Sequence, residues 1–140
     1  MRRRRRLLKS TLGMVLALFF LGPRAPASAD ETVSEWKAHD FNFKSSYLSG
    51  STFKNVYWNH GDLRGANWTN VQMENFDFKS SNFSGLKIKN SKFIGGRITD
   101  SKFKSLFVAD SVFEDVTLPM NFKTDAILIN VEFRNCRFQP

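Results

Sequence analysis

Counted in fives from Phe43 to Phe138, the chain is apolar at 19 of 20 positions, and Lys123 is the only exception. With 41% apolar residues overall, chance would fill roughly eight of them. A helix would repeat every 3.6 residues and a strand every 2, so this spacing belongs to neither alone. It marks an internal repeat.

The flanking columns are ordered too. Two residues before each of these positions, Gly, Ala, Ser, Cys or Val occurs at 15 of 20, as in Ser81, Ser91 and Ser101. Two residues after, Gly, Asn, Asp or Ser occurs at 17 of 20, as in Gly50, Asn70, Asn90, Asp110 and Asn130. One large and one small side chain per five residues can point inward. The third column holds the residue types that tolerate tight corners. The pattern predicts a four-sided solenoid of 20 residues per coil, its coils stacked through parallel backbone pairing. Residues 41–140 supply about five coils, a column roughly 24 Å long.

Stretches such as Ala66-Asn67-Trp68-Thr69-Asn70 and Ser81-Asn82-Phe83-Ser84-Gly85 resemble the pentapeptide-repeat family, and the resemblance extends over residues 41–138. It implies an all-β fold, a right-handed quadrilateral parallel β-helix with type II or type IV turns at its corners. It implies no single activity. Some positions depart from the pattern. Phe41 and Phe76 are large where a small residue is expected, and Trp58 and Trp68 are bulky for the central slot. Lys123 cannot sit unpaired in a dry column. The segment 118–124 is therefore expected to be a bulge or loop, with Phe122 substituting for Lys123.

Residues 1–29 read as a secretory signal peptide: a basic start at Arg2–Arg6, an apolar core from Leu12 to Leu21, and Ala27-Ser28-Ala29 before Asp30. Cleavage is expected between Ala29 and Asp30. The apolar core is shorter than the roughly 20 residues of a spanning helix, so no spanning segment is expected in the mature chain. Arg4-Arg5-Arg6-Leu7-Leu8-Lys9 also resembles a twin-arginine export motif, although an ordinary basic leader has the same look. The expected location is periplasmic or secreted. The leader carries seven of the 21 basic residues and no acidic one, leaving 14 basic against 13 acidic in the remainder.

Residues 30–40 are expected to form an N-terminal cap. Thr32 and Glu35 have capping-box spacing, which predicts a short helix or turn laying Trp36 over the first coil. At the other end the chain stops two residues after Phe138, so no lid is expected and a second copy could cover that end. Outward residues 20 apart should be neighbours, giving the pairs Lys54–Glu74, Asp77–Arg97 and Glu114–Arg134, and a corner ladder of Asn70, Asn90, Asp110 and Asn130. One outward column turns apolar at Phe107, Ala109, Ile127 and Ile129. This predicts an exposed patch on the last two coils, the candidate interaction site, unless the 118–124 segment folds over it.

Little points to chemistry. His39 and His60 lie far apart in the repeat without a completing Cys or carboxylate set, so no metal is expected. Cys136 falls in an inward small slot and reads as a buried, inert thiol. No glycine-rich phosphate loop precedes a helix, and no carboxylate pair stands apart from the ladder. No catalytic residue and no cofactor are assigned. Lys87, Lys89, Lys92, Arg97, Lys102 and Lys104 spread over all four sides as a belt rather than a groove, which argues against nucleic acid.

The expected function is an exported, non-enzymatic repeat scaffold for protein–protein interaction through its face or C-terminal end, with an unidentified protein or a second copy as partner. One alternative is an envelope-surface module for anionic lipid or glycan, using the belt with Tyr47 and Tyr57. The other comes from the resemblance: some members imitate DNA and bind a type II topoisomerase, which a near-neutral exported rod does not favour.

Overall fold

The structure, a computed structural model, describes residues 32–140. The signal peptide and its Ala29–Asp30 junction lie outside the described residues. The elements are β1 (Thr32–Ser34), β2 (Lys37–His39), β3 (Tyr47–Ser49), β4 (Thr52–Asn59), β5 (Asn67–Thr69), β6 (Gln72–Lys79), β7 (Lys87–Lys89), β8 (Lys92–Ile94), β9 (Arg97–Thr99), β10 (Phe107–Glu114), β11 (Thr117–Pro119), α1 (Met120–Asp125), β12 (Ile127–Arg134) and β13 (Arg137–Gln139). All strand pairings are parallel and every register is 20 residues, from Phe53 beside Met73 to Phe113 beside Phe133. The result is a parallel β-solenoid of about five turns.

Four columns define its sides. The first runs Thr32, Thr52, Gln72, Lys92, Val112, Glu132 and the second Lys37, Tyr57, Asp77, Arg97, Thr117, Arg137. The third side is held by isolated bridges linking Asn42, Asp62, Asn82 and Lys102. The fourth runs Tyr47, Asn67, Lys87, Phe107, Ile127. Corners fall on every fifth residue, where the backbone turns through positive φ, at Asn55, Asn75, Asp110 and Asn130 inside the eight-residue strands. Asn and Asp tolerate that conformation better than other side chains bearing a Cβ. This is why they dominate the column.

Inside, aromatic rings stack from coil to coil. Phe93 lies 4.7 Å from Phe113 at 7°, and Phe83 lies 5.6 Å from Phe103 at 6°. A 20-residue register places like over like at strand spacing, close to the distance at which aromatic rings meet. Trp58 and Trp68 are buried with indole N–H groups that find no acceptor. They fit because the aromatic layer is wide there, Trp58 lying 4.6 Å from Phe78 and 5.2 Å from Trp36.

The small column does more than leave room. Val71 N–H donates to Ser91 Oγ at 3.1 Å, and that hydroxyl donates to Lys89 C=O at 2.9 Å. Ser81, Ser101 and Ser111 repeat the arrangement. Each hydroxyl thus satisfies a buried amide from the coil below, which a plain turn would orphan. Ser91→Ala is expected to cost about 1–3 kcal/mol by leaving the Val71 N–H unpaired. An unchanged urea midpoint would show that this hydroxyl is dispensable.

Two sequence expectations give way here. Residues 32–39 form strands β1 and β2 in register with β4, so of the expected helix or turn only a corner turn at Glu35 is present, with Trp36 buried against Trp58. The capping-box spacing is a local signal, and pairing to the next coil overrides it. Trp36 fills the narrow slot and Ala38 the wide one, the reverse of Val56 and Trp58 one coil on, so combined volume is conserved while positions are exchanged. Second, the irregularity after Leu118 is helix α1, the single helix among the described residues, rather than a bulge or loop. It replaces the third side of the last coil without changing the register, since Phe107 still pairs with Ile127 and Leu118 with Phe138. Phe122 is buried in place of Lys123, 5.1 Å from Phe103 and 5.3 Å from Phe113. Lys123 turns out, its Nζ 4.7 Å above the Phe138 ring.

Candidate interaction surface

The last coil differs from the others in what covers it. Its inward residues Ala126, Leu128, Val131, Phe133, Cys136 and Phe138 are only partly buried. Their counterparts one coil earlier, Leu106, Val108, Ser111, Phe113, Val116 and Leu118, are all at most 2% exposed. Strands β12 and β13 pair on one side only, with β10 and β11. Helix α1 closes the third side of this end, with Phe122 reaching 6.2 Å from Phe133 and Asn121 Nδ2 donating to Ser101 C=O at 3.1 Å. The other three sides keep free strand edges beside apolar side chains, an arrangement that invites pairing. The sequence reading expected this end to lack a lid, but it assigned these residues to the inward columns without grading their exposure.

On the fourth side, Phe107 stands beside Ile127 and Ala109 beside Ile129. Ile127 and Ile129 are 52% and 53% exposed, and Phe107 is half-buried. Ala109 is 7% exposed and does not belong to the exposed patch. A single methyl between the longer Lys89 and Ile129 of its column is shaded by both. Helix α1 lies on the neighbouring side and leaves both isoleucines open, adding Met120 as a further exposed apolar residue at this end.

The outward charges follow the 20-residue rule with one correction. Lys54 reaches Glu74 at 3.9 Å and Arg97 reaches Asp77 at 3.3 Å. Arg134, however, donates to Glu132 at 2.8 Å, its neighbour two residues back on the same strand, rather than to Glu114. Residues i and i+2 share a face of a strand, so a long guanidinium can choose along the strand instead of across it. In the corner set Asn70, Asn90, Asp110 and Asn130, one side-chain link forms, from Asn130 to Asp110 at 2.7 Å. The fuller ladder is in the corner of Glu35, Asn55 and Asn75, resuming at Asp115 and Asn135 beyond Gly95.

Chemically this surface is quiet. Among the described residues no three His, Cys, Asp or Glu gather at metal-binding distance, and no helix is long and apolar enough to cross a membrane. His60 faces Asp40 at 4.0 Å as an exposed surface pair. Burial pushes the Cys136 thiol above the ordinary range, which disfavours the reactive thiolate. The hydrogen bond from Arg64 holds Asp62 below the usual carboxylate range, an exposed local pairing. A shallow cleft of about 420 Å³ opens on the second side, where β11 meets β9 through only Thr117 and Arg97. The Asp77–Arg97 pair occupies its wall.

A sequence profile described as Pentapeptide repeats matches residues 62–95, in 8 copies. The stretch matched carries the same three columns that the registers extend from residue 32 to 139. Residues 62–95 are pentapeptide repeats. No curated protein matches the sequence. Among solved structures, QnrB1, described as a plasmid-mediated fluoroquinolone resistance protein, is 13% identical, with TM-score 0.42 over 81% of this chain. The chain spans 65% of the length of that QnrB1 chain. Rfr23, a pentapeptide-repeat protein from the cyanobacterium Cyanothece 51142, is 14% identical, with TM-score 0.35 over 79% of this chain and 91% of its own. Pentapeptide-repeat proteins are generally structural or interaction proteins. In this pentapeptide-repeat rod the interior is filled by stacked side chains, so only the outward columns and the partly covered last coil are open to contact.

Proposed function

We propose that this protein is an exported, non-enzymatic repeat scaffold that binds another protein through its C-terminal coil. The observation that carries the reading is the uncovered last register. Leu128, Val131, Phe133 and Phe138 are partly exposed beside the free edges of β12 and β13. A partner segment in extended conformation could add the next strand, its backbone pairing with the edge and its apolar residues covering the rings. A second copy of the chain meets the same requirement. Export is supported by the basic start, the short apolar core and Ala27-Ser28-Ala29. A near-neutral rod, 14 basic against 13 acidic residues after position 29, argues against mimicry of DNA.

The test is site-specific. A photo-crosslinking residue at position 133 is expected to capture a defined protein, or a second copy, in the native compartment. The same residue at position 52, on the first side, is expected to capture none. Sedimentation of Phe133→Asp beside the parent then separates the two partners, because loss of a dimer would be seen only if the partner is a second copy. Equal crosslinking from both positions would refute binding at the end.

A further inference from the structure

The four sides of the rod are not equivalent in charge. The first carries outward carboxylates at Glu74, Glu114 and Glu132, the second at Asp77 and the third at Asp62. Among the described residues the fourth side alone carries no outward carboxylate. From the N-terminal coil upward its column reads Tyr47, then Asn67 and Thr69, then Lys87 and Lys89, then Phe107, then Ile127 and Ile129. Both lysines are exposed and neither has an ion-pair partner among the described residues. Tyr47 is 44% exposed, at the opposite end of this side from the isoleucines already described.

We infer that this side is a docking face for an anionic lipid bilayer. Five registered parallel strands, β3, β5, β7, β10 and β12, make it planar, about 19 Å along the rod at strand spacing. A planar side that combines cations with exposed aliphatic and aromatic residues matches an interface where phosphates overlie acyl chains. Lys87 and Lys89 would meet headgroup phosphates. Ile127, Ile129 and Phe107, one and two coils away, would enter the headgroup–acyl boundary, and Tyr47 suits the same depth at the other end. Two corner carboxylates oppose this. Asp110 accepts the Asn130 amide and Asp125 sits beside Thr124, at the two edges of the side rather than on it.

Two other occupants fit less well. The side presents roughly 200 Å² of footprint, from about 19 Å by three strand residues, against the roughly 800 Å² per partner of a stable dimer. A nucleic acid would need a continuous cationic track, and only one of the five strands on this side supplies one. The inference is independent of the end-binding reading, since its residues point sideways and not along the axis.

The chain from Asp30 onward, freed of the basic leader that would itself bind anionic lipid, is floated with vesicles of phosphatidylglycerol in phosphatidylcholine to test it, at about 0.1 M salt. The parent is expected to bind these and to bind pure phosphatidylcholine weakly. Lys87→Glu/Lys89→Glu is expected to lower affinity about tenfold or more, and Ile127→Ser/Ile129→Ser to lower it as well. All four positions point outward, so both variants should keep the parent's circular dichroism. An Ile129→Trp reporter should be quenched by brominated phosphatidylglycerol, while Thr52→Trp on the first side should not. Binding of both charge and apolar variants at parental strength would overturn the inference. So would equal quenching of the two reporters, or binding to heparin with none to the vesicles.

Discussion

Gly96→Ala is expected to destabilise the protein by about 1–3 kcal/mol, although alanine normally stabilises a chain relative to glycine. Phe76 occupies a small-residue slot, and Gly96 lies one coil above it in the same column. A methyl group on Gly96 would come within 2.5 Å of the Phe76 ring. The first such pair, Phe41 below Gly61, is tighter still, at 2.1 Å from the ring edge. Neither glycine has the positive φ that would itself forbid alanine, so the penalty is steric and belongs to the ring beneath. This supports a specific cycle. Gly96→Ala should cost far less in a Phe76→Val background than in the parent, because the smaller side chain vacates the space. Urea unfolding of the four proteins measures the coupling. Additive costs would mean that the two positions do not share one volume.

Phe93→Ala is expected to cost about 3–5 kcal/mol, the range for deleting a fully buried aromatic ring. Phe93 stacks on Phe113, touches Phe76 at 5.9 Å and lies 6.4 Å from Trp68, so its loss opens a void shared by three coils. The same change at Phe133 should cost less than half as much. Phe133 has Phe113 below it at 5.4 Å but is only partly covered above. The contrast in thermal midpoints tests the claim that the last coil is energetically unfinished. Equal losses would mean that the end is packed as tightly as the middle. That would remove the ground for proposing a partner there.

Much of this was legible in the chain. The fold, the coil length and the inward columns follow from arithmetic, and the registers of Lys54–Glu74 and Asp77–Arg97 come with them. Lys123 could be assigned to the outside, and Phe122 to the inside, because a charge cannot remain unpaired in a dry column. Trp36 was harder. Thr32 and Glu35 spell a helix start locally, and only pairing with β4 shows that the coil has already begun. Phe41 and Phe76 looked like faults because each was compared with its own slot. The compensating glycine sits 20 residues later, visible in the sequence only once two coils are laid one above the other. Arg134 shows the opposite limit, since register places it beside Glu114 and its flexible side chain turns to Glu132.

For the candidate surface the division is sharper. The sequence named the apolar column of Phe107, Ala109, Ile127 and Ile129. It could not grade the members, because shading of Ala109 depends on the reach of the side chains on either side of it. By itself the sequence determined the architecture. A five-residue period leaves one backbone path that buries every fifth side chain, and that path dictates what stands beside what. Only the tertiary structure decided which of those residues remain uncovered. Exposure at the last coil depends on how far the side chains packed around it reach and on a helix closing one side out of four, and neither can be read from a residue's own type.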